Sequence, residues 1–552
     1  MLAALSRQAR WIPLRSLRTE STIEVRKVTT SKGKRTTTKR PSPHTLQPPP
    51  TRQVTISIDR PEQATIQHVL DALASFQKIS SRLENFAAFN HHTLFILATP
   101  SFASWLEASS EFIPKALQRV LGTLRPIEVD VVCGVCDGLA PRPVSMKQPS
   151  GAGFSILHKP WKQDDLWECN PTAVSPNLHS TITFSANKGH NVTLTLPLAN
   201  TLFKNGRLST LLLTRWRSSG GSFEVTQEQT EKKNVTVNVF GRLQIPRPSI
   251  QIPSVPLTPM RRIQSGLGNI VRTIDFGEGG LPDVGPASRE LEMRVTEYLS
   301  KQGLDHSVID VWALVIPVEA LSGPWSDKVK VLMSDVEDLM AKQAPSTGKD
   351  CCYVGDFIDQ GATLCRVLSG GGGWGIKQGL LSLDPQTTYC TNNESRYDFS
   401  EGTLDEQQTS ALGNVAQQGA FIQFLVVAKH DEAVDPLIEN ERGYVDSALG
   451  STVVGVVPST VDEIHDMSQN EDQQVPKLDV QVYLNHFGCV SESGMFLQRK
   501  GERDKSTTPA IETKIDLPYS YVYRENFERS PLDIYEEAES VEKEVGSPDG
   551  LV

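Results

Sequence analysis

The chain has no long apolar run and few cysteines, and each shortage removes a class of protein. Nowhere do about 18 apolar residues follow one another, the length a helix needs to cross a bilayer, so no membrane span is expected. Eight cysteines among 552 residues, without close and even spacing, exclude a small secreted domain stapled by disulfides. The sequons at Asn191, Asn234 and Asn393 are then expected to be bare, because glycosylation requires secretion. Common catalytic motifs are missing as well: there is no Gly-x-Ser-x-Gly elbow and no His-Glu-x-x-His pair.

Each end is dominated by charge of one sign. The first eighteen residues contain no acid, while Arg7, Arg10, Arg15 and Arg18 alternate with Leu2, Leu5, Trp11, Leu14 and Leu17. That amphipathic, Arg-rich pattern reads as a mitochondrial transit peptide, with the matrix as destination, followed by a Ser/Thr/Lys/Pro-rich disordered linker up to Pro50. Residues 1–40 hold eleven Lys/Arg against Glu20 and Glu24, so a net charge of −10 for the whole leaves −19 on the remainder. A body that acidic repels a phosphate backbone, which disfavours nucleic acid as a partner. From Glu525 to the end nine acids face Arg529 and Lys543. This acidic, disordered tail would suit a basic protein partner.

Between these ends the patterning predicts an α/β (α+β) protein of two mixed-sheet lobes with flanking helices. Gln53–Ile58 alternates as a strand, Ile66, Val69, Leu70, Leu73 and Phe76 recur at helical spacing, and His92–Ala98 and Ile127–Cys133 are further strands. That order implies a layer with a partly parallel sheet. Leu208–Trp216 and Val235–Phe240 are expected to form a long hairpin around Ser218–Ser222 and a charged segment. Prolines at 246, 248, 253, 256 and 259 mark the internal boundary. The expected division is 51–245 for the first α/β domain, 246–265 for a linker, 266–524 for the second domain and 525–552 for the tail. In the second domain Ser288 is expected to cap a helix carrying Leu291, Val295, Tyr298 and Leu299. Asp327–Lys342 reads as a helix, and Cys351–Phe357 and Ala362–Leu368 read as strands.

The candidate site is the run Ser369, Gly370, Gly371, Gly372, Gly373, Trp374, Gly375 and, two residues on, Lys377. Four consecutive glycines lose much backbone entropy on folding, so such a run implies φ > 0 or a close approach of backbone to something. Consecutive amides can form a nest for an anion, with Lys377 as counter-charge and Trp374 as a stacking lid. A Walker A loop is excluded, because Ile376 precedes Lys377 and Gln378 stands where Ser or Thr would hold magnesium. The alternative is purely structural: a tight crossover with Trp374 in the core. Cys133-Gly-Val-Cys136 lacks both a following helix and a second Cys/His pair, so buried thiols are expected and no metal site is assigned. No cofactor is assigned either.

Three short segments carry a family resemblance: His92-Thr-Leu-Phe-Ile-Leu97, Val131-Val-Cys-Gly134 with Gly138 soon after, and Gly151-Ala-Gly-Phe-Ser155. Over roughly residues 51–220 the chain resembles the FIST domain, a sensory module shared by bacterial signalling proteins and one group of F-box proteins. The resemblance implies a small-ligand-binding or interaction module in signal transduction, with no known catalytic apparatus. The expectation is therefore a non-enzymatic ligand-binding or scaffold protein. Two alternatives stay open: an enzyme acting on a phosphorylated or carboxylated metabolite through Gly370–Lys377, and a mitochondrial assembly or ribosome-associated factor.

Overall fold

The computed structural model describes residues 51–80, 90–122, 126–140, 150–168, 178–185, 192–238, 249–277, 283–303, 309–320, 324–333, 353–370, 379–389, 415–428, 450–458, 478–499 and 511–526. All of them lie in one compact unit, Pro48–Val552. The expected transit peptide and linker, and residues 527–552 of the expected tail, lie outside the described residues.

The first sheet has seven strands, in the order Val480–Leu484, Arg52–Ile58, Ala152–Lys159, His91–Ala98, Glu128–Val135, Leu211–Ser219 and Ser222–Glu231. Its one parallel pair joins His91–Ala98 to Glu128–Val135, which requires a crossover over one face. The Phe112–Leu121 helix lies in that crossover, and the sequence explains how. Phe112, Ile113, Ala116, Leu117 and Val120 fall on one side and are buried, and Gly122 ends the helix at φ 52 with its N–H on the Gln118 carbonyl. Alternation along the strands then divides the sheet. Val54, Ile56, Leu94, Ile96 and Val131 meet this helix and the Ile66–Ser80 helix, while Phe95, Leu97, Val132 and Leu157 face the other way.

Two smaller sheets share that other face's core. One runs Ile511–Ile515, Met495–Arg499, Val192–Pro197, Thr181–Ser185, Asn234–Asn238, and the second runs Ser249–Gln251, Tyr521–Asn526, Gly450–Val456, His486–Ser491. Phe184, Leu194, Leu196, Val454 and Phe487 join Phe95 and Leu97 in a continuous apolar cluster. The fourth sheet curls on itself. Phe421–Val427, Arg261–Leu267, Ile270–Asp275, Leu381–Leu383, Thr363–Gly370 and Trp312–Ile316 pair antiparallel in sequence, and the last pairs back to the first. Such closure leaves these six strands without a free edge. The Ser288–Lys301 helix buries Leu291 in the same core as Val271, Ile274 and Phe424.

The fold class is the mixed α/β arrangement expected, yet several details depart from the sequence reading. Pairing ignores the boundary at 246. Val480–Leu484 extends the first sheet beside Arg52–Ile58, and Met495–Arg499 pairs with Val192–Pro197. The proline-rich stretch does contain strands, Ser249–Gln251 and Ser254–Pro256, both at sheet edges, where a missing N–H leaves no ladder bond unmade. The expected hairpin closes differently: Leu211–Ser219 turns at Gly220 and Gly221 into Ser222–Glu231, the charged segment itself, and Asn234–Asn238 joins another sheet. That charged strand is an edge, largely exposed, so it needs few apolar residues.

Of the expected strand Cys351–Phe357, the described part belongs to a helix, Tyr353–Asp359. Val354, Phe357 and Ile358 are buried on one helical face. Ser288 is the first helical residue and not the cap, which falls to Ala287. The helix expected at Asp327–Lys342 begins earlier, at Pro324, and is helical through Leu332; residues 334–342 lie outside the described residues. The last strand, Tyr521–Asn526, takes in Glu525 and Asn526, two residues assigned to the tail.

Candidate functional site

Of the predicted site residues, Ser369 and Gly370 are described; they end the Thr363–Gly370 strand opposite Ser382 and Leu381. Gly371, Gly372, Gly373, Trp374, Gly375 and Lys377 lie outside the described residues. Where the chain resumes, Gly379 has φ 83, and a Cβ there would stand 2.4 Å from the Cβ of Pro286. Both facts require glycine. The Gly379 carbonyl also accepts the N–H of Ser288 at 3.3 Å, tying this segment to the start of the Ser288–Lys301 helix.

Beside that tie, residues of the helix and of the sheet line a groove of about 390 Å³. Leu291 and Val295 from the helix and Val311, Val367 and Leu381 from the sheet give it an apolar floor, and Ser369 and Glu292 stand among its lining residues. The helix is held in place by a bidentate pair: Arg261 Nη2 and Nε donate to Glu290 at 2.7 and 3.1 Å, with both side chains nearly buried. This pair fixes the wall of the groove while standing apart from its lining.

A second constellation was not singled out by sequence reasoning. Lys159, Thr93, Asp130 and Arg215 lie side by side across four neighbouring strands, in register. Asp130 is fully buried and saturated: Arg215 Nε and Trp167 Nε1 donate to it at 2.7 and 2.8 Å, and His91 Nε2 lies 2.7 Å away. Arg215 also stacks on Trp167 at 5.1 Å. Lys159 is fully buried, donates to Gln163 Oε1 at 2.8 Å and lies 4.9 Å from the centre of the Phe95 ring. Burial pushes its amine down to about 7, against a smaller opposing pull from Asp165. Residues 161–167 roof the row, since Thr93 donates to the Trp161 carbonyl and accepts from the Gln163 N–H.

On the opposite face of that sheet, Arg52 donates through Nε and Nη2 to His158 Nδ1 at 3.2 and 3.0 Å. An arginine cannot accept, so His158 carries its proton on Nε2 and donates to His92 Nδ1 at 3.0 Å. Burial first, then Arg52 and His92, hold His158 well below the usual imidazole range, so it is neutral. His91 and His92 thus point to opposite faces, each engaged in a network. Cys133 and Cys136 are buried free thiols, and burial raises Cys136 to about 12, far from the thiolate that redox or zinc chemistry needs. No group of three or more His, Cys, Asp or Glu placed to hold a metal occurs among the described residues. The signal for the buried row was available: charged residues at inward positions of otherwise apolar strands.

No protein family, curated protein or solved structure matches the chain. His92–Leu97, Val131–Gly134 and Ala152–Ser155 fall on neighbouring strands of the first sheet, His91–Ala98, Glu128–Val135 and Ala152–Lys159. No helix among the described residues is long and apolar enough to cross a membrane.

Proposed function

We propose that this chain is a non-enzymatic, FIST-like small-ligand-binding protein of the mitochondrial matrix. Its ligand sits between the Ser288–Lys301 helix and the closed sheet. The observation that carries the reading is the groove of about 390 Å³ whose lining includes Ser369, the residue directly before the glycine run. A groove of that size, apolar at its floor with a few polar groups around it, suits a metabolite-sized molecule. The buried row around Asp130 supports the other half of the reading. Asp130 is taken up by Arg215, Trp167 and His91, and Lys159 by Gln163 and the Phe95 ring, an arrangement that suits a lock between strands.

Val295 is only partly buried, so Val295→Trp would fill the groove with little loss of core packing. Thermal-shift screening of the full chain against a metabolite panel is expected to find a compound that stabilises the wild type. At a hundred times its Kd the gain is about 2.7 kcal/mol. Val295→Trp should abolish that gain. Stabilisation that survives the substitution would place the ligand elsewhere.

A further inference from the structure

We infer that the groove takes a small organic cation with an apolar body, of the alkylamine or arylalkylamine class. This rests on the ligand-binding reading above and narrows it. Among its described lining residues there is no Lys, Arg or His, and the one charged group is Glu292. The basic residues nearest on the same helix are engaged elsewhere: Arg294 and Lys301 both pair with Glu297, and Arg289 stacks on Phe276. Glu292 itself has no ion pair among the described residues.

One local feature favours an anion, the positive end of the helix at Ser288, and magnitudes decide against it. A helix N-terminus is worth roughly half a charge, fading within a turn, against the full negative charge of Glu292. The N–H of Ser288 is also already donated to the Gly379 carbonyl. The apolar floor would hold the body of the ligand, while Ser288, Thr296 and Ser369 offer hydroxyl or backbone acceptors beside the carboxylate for an ammonium with three donors. The anion nest expected from the glycine run falls largely on residues outside those described, whereas the described lining of the groove suits a cation.

The test compares octylamine, octanoate and methylamine at pH 7.5, by calorimetry on the full wild-type chain, Glu292→Gln, Glu292→Lys and Val295→Trp. Octylamine should bind about tenfold tighter than octanoate, the spread between one exposed attraction and one exposed repulsion. Glu292→Gln should level the two, Glu292→Lys should invert them, and Val295→Trp should remove both. Methylamine should not bind. Equal binding of octylamine and octanoate to the wild type, lost in Val295→Trp, would overturn the cation inference and leave the groove as a ligand site. Tighter octanoate binding, or methylamine matching octylamine, would also overturn it. Binding of none of the three would remove both the inference and the ligand-binding reading on which it rests.

Discussion

Lys159→Met should make the protein more stable at pH 6, and the advantage should shrink steadily as the pH rises towards 10. In the unfolded chain the amine titrates near its ordinary 10.5, whereas in the folded protein burial brings it down to about 7. Between these values the unfolded chain holds a proton that the folded protein has released. Folding therefore becomes more favourable as the pH climbs through that window. Below 7 both states are protonated and the full desolvation penalty remains, on the order of a few kcal/mol. Two contributions oppose it: the hydrogen bond to Gln163 and the contact with the Phe95 ring, each about 1 kcal/mol. Methionine fills similar space without the charge. Urea midpoints for both proteins at pH 6, 8 and 10 measure the difference. A wild type that equals or exceeds the variant at pH 6 would mean that Lys159 reaches solvent or a carboxylate.

Gly488→Ala should destabilise by about 3 kcal/mol or more, at the upper end of what overpacking costs. Gly488 lies in the His486–Ser491 strand, and a Cβ there would stand 2.0 Å from the Ala140 carbonyl oxygen and 2.9 Å from His486 Cε1. The obstacle is backbone, which cannot rotate away as a long side chain can. Ala140 also belongs to a segment pinned on both sides. Val490 N–H donates to the Gly138 carbonyl, and Leu139 N–H donates to that of Gly151. One methyl group would therefore push the four-stranded sheet off the first sheet's end. Equilibrium unfolding in urea gives the number. A loss under about 0.5 kcal/mol, the range of ordinary surface substitutions, would show that the two segments do not touch.

How far the sequence could be read depended on whether the deciding contacts were local. Phe112–Leu121 is legible because its own spacing separates buried from exposed positions, and Arg52–Ile58 because apolar and polar residues alternate along it, although both of its faces are buried. His91–Ala98 reads as a strand for a different reason: flanked by strands and covered on both faces, it is apolar almost throughout. Tyr353–Asp359 misleads because seven residues are too few to separate a helical from an alternating pattern. Its glycine supplies a tertiary reason no local pattern contains, since a Cβ on Gly355 would stand 2.0 Å from the Ile250 carbonyl oxygen.

Strand partnership was beyond reach altogether. Val54 pairs with Leu484 across most of the chain, and nothing in either segment names the other. The candidate site divides in the same way. Ser369 stood out through the glycines beside it, and Leu291 and Val295 were legible as one helical face. That this face meets Val311 and Val367 across a groove follows only from the closed circuit of strands. The buried row needed register as well: Asp130 is one acidic residue in a strand until Thr93, Arg215 and Lys159 are set beside it.

Strands from beyond residue 477 complete sheets begun before residue 200. Residues 51–245 alone would leave Arg52–Ile58 without its Val480–Leu484 neighbour and Val192–Pro197 without Met495–Arg499. The core would lose Phe487, Met495 and Leu497 from beside Phe184 and Leu196. Urea unfolding of this fragment, followed by tryptophan fluorescence beside residues 51–526, is the direct measurement. The longer chain should unfold cooperatively, while the fragment should show no cooperative transition. A fragment with its own sharp transition, at a midpoint matching the longer chain, would mean that the first half is an independent domain and that the shared sheets do not exist.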